Sequence, residues 1–127
     1  MTIKKIAVAG AVTMLGFFAF AASAADVKVT CEKRSSRSRA SVDGSSLAQG
    51  SYRAVLRSGT RTVRTTFEPA IGDEAQFDFD SNPNDVADGA TAIPANFIVD
   101  GRVKGYLINE AGKRVTPIFE AICRVRR

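Results

Sequence analysis

The sequence predicts an all-β fold: a small antiparallel β-sandwich, Ig-like or closed into a partly open barrel, with seven or eight strands and one disulfide joining the first strand to the last. Three observations carry this reading. Apolar residues recur at every second position from Asp26 onward, turn-forming pairs separate the alternating runs, and the two cysteines stand near the two ends of that region. A period of two is the signature of a strand with one face buried and one wet.

The elements follow in order. Val27, Val29 and Cys31 share one face of the first run, opposite Lys28, Thr30 and Glu32. Tyr52, Ala54 and Leu56 alternate with Arg53, Val55 and Arg57, and Val63, Thr65 and Phe67 alternate with Thr62, Arg64 and Thr66. Ala75, Phe77 and Phe79 alternate with Glu74, Gln76, Asp78 and Asp80, the cleanest two-sided segment in the chain. Asp100-Gly101 between Val99 and Arg102 is the strongest short-range hairpin signal, and Gly112 marks a further turn within 109–113. Together they predict a meander of strands at 95–99, 102–109 and 114–125, with Pro117 imposing a bulge or an edge on the last. Phe119, Ala121, Cys123 and Val125 share the final face, while Asp43-Gly44, Ser58-Gly59 and the stretch from Pro69 to Gly72 supply the remaining breaks. Residues 81–95 lack strand character, with one helical turn expected between Asn84 and Ala87. A loop of that length in a small domain is more often functional or mobile than inert.

The first residues have a different character. Lys4 and Lys5 precede an uncharged apolar run from Ile6 to Phe20, closed by Ala21-Ala22-Ser23-Ala24-Ala25. This is the pattern of a secretory signal peptide, expected to be residues 1–24 and cleaved after Ala24, leaving 25–127 as a single domain. Runs of Ala and Ser hold a helix poorly in hydrocarbon, so no membrane span is expected after cleavage. The expected location is periplasmic or secreted, where paired cysteines default to a disulfide, here Cys31 with Cys123. A reactive or metal-binding thiol pair would need a close C-x-x-C spacing or other soft ligands, and the sequence has neither.

With no His among its residues, the chain has no Ser-His or Cys-His catalytic pair and no imidazole metal site. Its 18 Lys+Arg and 13 Asp+Glu are segmented along the sequence. Residues 26–64 carry nine basic and three acidic groups, 65–100 eight acidic and no basic ones, and 101–127 seven basic and two acidic. The simpler account is that the sheets bring these segments together and pair them across strands. The sharper one is a basic patch and an acidic patch. Arg34, Arg37, Arg39, Arg53 and Arg57, with Arg61, Arg64 and the C-terminal arginines, suit an anionic partner. For an exported protein that partner is a cell-surface polymer, a lipid headgroup or an acidic protein; nucleic acid is not expected.

On the acidic side, Asp78, Asp80, Asp85 and Asp88 are candidate Ca²⁺ ligands. Counted from Asp80, however, Asp85 stands where an EF-hand needs Gly and Thr91 where it needs Glu, so turn formation is the simpler role. Asp78 and Asp80 would lie about 6.5–7 Å apart on one strand face, the separation of an inverting glycosidase pair. No other element of a hydrolase accompanies them: the sequence has no G-x-S-x-G, no P-loop and no metal-hydrolase motif. The expectation is a non-catalytic binding or structural module of the cell envelope or extracellular space, without a cofactor unless calcium.

Overall fold

Val27 and Val29 point inward from the first strand, β1 (Asp26–Arg34), as the alternation requires. The structure, a computed structural model, describes residues 24–126; the expected leader lies outside them except for Ala24. It is mostly β, with 56% strand and 5% helix. A two-residue turn at Ser35-Ser36 leads from β1 into β2 (Arg37–Ser45). There follow β3 (Ser51–Ser58), β4 (Arg61–Arg64), β5 (Glu68–Pro69), β6 (Ala75–Asp80), the short helix α1 (Pro83–Ala87) and β7 (Thr91–Ala92). The last elements are β8 (Arg102–Asn109), β9 (Phe119–Ile122) and β10 (Arg124–Val125). Three of these strands, β5, β7 and β10, are two residues long, which is why the sequence pattern counts fewer.

The strands form two sheets. Sheet I runs β9-β8-β3-β4, with β5 also on β3, and is antiparallel throughout. Sheet II runs β10-β1-β2-β6-β7. The expectation of purely antiparallel pairing fails at both of its edges, where β10 lies parallel to β1 and β7 parallel to β6. Neither edge strand is reached by a hairpin from its neighbour, so nothing forces the antiparallel direction.

The core lies between the sheets. Val27, Val29, Val42, Phe77 and Phe79 enter it from sheet II, and Tyr52, Ala54, Leu56, Val103 and Leu107 from sheet I. Two glycines let the sheets approach. A Cβ on Gly105 would stand 2.8 Å from Val29 and 3.0 Å from Val42, and one on Gly44 2.3 Å from Leu107. Asp43-Gly44 is therefore not a break; β2 continues through it, because Gly44 makes room for Leu107.

The C-terminal third departs further from the expected meander. Asp100 and Gly101 do form the turn, with φ of 56° and 65° as a type I′ hairpin requires. Residues 95–99, however, make a single bridge, Val99 to Arg102, and Phe97 and Ile98 plug the core from a loop. The expected strand 114–125 is broken into β9 and β10, and its apolar face is only half buried: Ala121 and Cys123 are inside, Phe119 and Val125 outside. Past the end of β4, and again before β9, a buried threonine substitutes for a main-chain partner. Thr65 Oγ1 accepts from the Ala54 N–H, and Thr116 Oγ1 accepts from the Leu107 N–H beside Pro117, which has no N–H of its own.

Cys123 is the one residue between β9, which pairs in sheet I, and β10, which pairs in sheet II. Its disulfide to Cys31 spans 92 residues with the two Cα atoms 4.6 Å apart. The cross-link therefore ties the first strand to the point where the chain changes sheet, one residue short of the last strand. A double Cys31→Ser/Cys123→Ser variant is expected to lose about 4.6 kcal/mol of unfolding free energy in a urea melt, the value for closing a loop of that length; an unchanged midpoint would contradict this.

Candidate functional site

The outward faces of the two sheets are charged in different ways. Across sheet II the register sets Arg124, Glu32, Arg39 and Asp80 side by side on β10, β1, β2 and β6, a row of alternating sign. Glu32 is ringed by Arg126 at 3.2 Å, Arg34 at 3.5 Å and Arg39 at 3.9 Å. Arg34 and Arg37 lie opposite one another on β1 and β2, Arg34 beside the shared Glu32 and Arg37 on Asp80. This is the cross-strand pairing that the simpler account of the charge requires.

Arg37 is the centre of the strongest group. Its Nε donates to Asp80 Oδ1 at 2.9 Å, and its Nη2 to Asp80 Oδ2 at 2.7 Å and to Asp85 Oδ2 at 2.8 Å. Asp80 is buried, 4% exposed, and its Oδ1 also accepts from the Asn82 N–H. Burial alone would push the Asp80 carboxyl up, but the Arg37 fork, the Asn82 N–H and the nearby Arg39 charge together hold it below its ordinary value of 3.8. The same fork, outweighing desolvation, raises Arg37.

This group anchors the long loop. Asn82 caps α1 by accepting from the Asn84 N–H, Ser38 Oγ donates to the Ala95 carbonyl and its N–H to Ser81 Oγ, and Lys33 Nζ also reaches Ala95 O. Arg61 donates to the Asn96 carbonyl and to its side-chain oxygen. Residues 81–95 are thus tied to the sheet at several points, with the helical turn near the expected place.

The four candidate calcium ligands lie along one groove. Asp78 and Asp88 line the same open groove of about 1400 Å³ along sheet II as Asp80 and Asp85, yet no three acids among the described residues are placed to hold a metal. The two that converge do so on a guanidinium, so a side chain already supplies the cation. Asp80 is also poorly suited as a general acid. A carboxylate held ionised, with both oxygens bonded, is the opposite of the raised pKa that such a role needs.

Sheet I presents a different surface. The inward positions of β3 and β8 are Tyr52, Ala54, Leu56, Val103 and Leu107, so the intervening side chains face out. Arg53, Arg57, Arg64, Arg102 and Lys104 all lie on that outer face, joined by Arg114 through its bridge to Ile108. Glu120 on β9 is the acid among these strands' outward positions, opposite Lys104. Among the described residues, none of the six cations has a carboxylate oxygen within 4.0 Å.

Arg57 and Lys104 are direct cross-strand partners, about 5 Å apart at Cα, an arrangement that costs a few tenths to 1 kcal/mol without a counter-charge. They meet Arg102 at a concavity of about 240 Å³ bordered by Ser58, Asp100 and Glu120. Arg53 lies over the Phe67 ring, 4.2 Å from its centre, which fixes the guanidinium in place. Val55, between Arg64 and Tyr106, is an outward residue yet only 1% exposed, because the long side chains around it cover it with their stems.

Of the five arginines singled out by sequence, the fold therefore separates two kinds. Arg34, Arg37 and Arg39 are paired on sheet II, whereas Arg53 and Arg57 belong to the unpaired face of sheet I. Arg102, Lys104 and Arg114 complete that face from a distant segment; the available signal was their outward phase in a strand next to Tyr52–Arg57, which depends on knowing the pairing. Comparison with protein-family models, with curated proteins and with solved structures gives no match to this chain.

Because Asp80 titrates below its ordinary value, its ion pair adds stability above about pH 4 and loses it as the pH falls through the lowered value. Arg37→Ala is accordingly expected to cost about 3 kcal/mol at neutral pH, by stranding a buried carboxylate. The gap to the parent protein should narrow between about pH 5 and pH 2 in chemical denaturation measured across that range; a pH-independent gap would refute the assignment.

Proposed function

We propose that this protein is an exported, non-catalytic binding module that holds an anionic partner against the outer face of sheet I. One observation carries the reading: six cations, Arg53, Arg57, Arg64, Arg102, Lys104 and Arg114, stand on one sheet face without ion-pair partners among the described residues. Among the described residues of sheet II, Arg34, Arg37, Arg39 and Arg126 each have a carboxylate oxygen within 4.0 Å, whereas none of these six has one. Guanidinium groups on rigid strands bind anions with little ordering cost. The disulfide is compatible with the periplasmic or extracellular location that the leader suggests. Two sheets sharing one core agree with a β-sandwich of the general Ig-like kind, which provides a stiff, flat platform for such a face.

The test compares two charge-matched variants on an immobilised phosphate matrix. Arg57→Gln/Lys104→Gln removes two charges from sheet I, and Lys28→Gln/Arg124→Gln removes two from sheet II. The first is expected to elute at clearly lower salt than the second, which should stay near the parent protein. Equal elution of the two variants would mean that net charge alone acts and would refute the reading.

A further inference from the structure

The partner class can be narrowed, on the footing of the proposed anion-binding face. Strand β9 forms the edge of that face, and its outward side chains are not basic. By register Ile122 lies beside Arg102 and Glu120 beside Lys104, and Ile118 directly precedes the strand. Ile122 is 80% exposed and Ile118 46%. Among the described residues six large apolar side chains are exposed, and four of them lie within residues 118–125: Ile118 and Ile122 in this outward phase, Phe119 and Val125 in the other. Nothing in folding favours leaving them in water.

We infer that the outer face of sheet I docks on an anionic phospholipid surface, with its six cations on the headgroup phosphates and Ile122 and Ile118 entering the interface beside them. Two features favour a bilayer surface over a soluble polyanion. The cations are spread over β4, β3 and β8 in two dimensions rather than aligned along one groove. Exposed aliphatic side chains adjoin them, and a charged polymer offers these nothing to enter. Basic residues at an anionic leaflet each strengthen attachment by about fivefold, and apolar insertion adds to this without depending on salt. Among the described residues no helix is long and apolar enough to cross a membrane.

The experiment is co-sedimentation of the oxidised protein with vesicles of phosphatidylcholine alone or with about one-third phosphatidylglycerol, at low salt. The parent protein is expected to bind the anionic vesicles and not the neutral ones. Arg57→Gln/Lys104→Gln should weaken binding about 25-fold, at about fivefold per charge. Ile122→Ser should weaken it about threefold or more with an unchanged salt slope, as loss of an apolar contact requires; as a surface change it leaves the melting temperature in place. If soluble polyphosphate is bound while anionic vesicles are not, or if Ile122→Ser binds vesicles as the parent does, the lipid assignment falls and the anion-binding face stands. If neither probe is bound, both readings fall.

Discussion

A single covalent constraint organises the molecule: the chain is fastened to its own first strand at the residue where it leaves one sheet for the other. β9 holds to sheet I through four register pairs and β10 to sheet II through two, so neither is strongly held by its ladder alone. With Cys123 bonded to Cys31, both short strands are placed together. Arg126 then reaches Glu32 on one side, with Arg124 beside it in register, and Glu120 and Ile122 border β8 on the other. The charge arrangement of sheet II and the apolar edge of sheet I both depend on this one point.

The segmented charge of the sequence resolves into two arrangements. Sheet II alternates signs across its strands, so that basic β1 and β2 are neutralised by β6 and the helix that follows it. Sheet I collects β3, β4 and β8, all basic, and has little to neutralise them. Opposed like charges cost each pair only a fraction of a kcal/mol, which a domain with stability of order 5–15 kcal/mol can carry. A surface tuned for stability alone would have carboxylates in several of these positions. An unrelieved positive face is the arrangement expected where an external anion completes the pairing.

Much of the fold was legible because it depends on local chemistry. The alternation in Val27–Cys31, Tyr52–Leu56 and Ala75–Phe79 marks their buried faces without reference to partners, and Asp100-Gly101 fixes its own turn. The failures involve contacts with distant segments. Gly44 resembles a turn residue until Leu107 is known to lie against it, and Phe97 and Ile98 resemble a strand because a core plug needs the same residue types. The parallel edges leave no local trace, since direction is set by how the chain returns. The site divides in the same manner. Arg53 and Arg57 could be singled out, but Arg37 cannot be told from them until Asp80 is placed 43 residues away at its guanidinium.

The two charged faces also differ in what can disturb them. The loop beside sheet II is held through carboxylates, which lose their charge in acid, whereas arginine and lysine keep theirs at any acidity a folded protein survives. Souring of the surroundings would therefore loosen the residues around α1 and leave the cationic face charged. The two faces are thus decoupled: the charge of the first is screened by ions, and the anchoring at the second is released by protons.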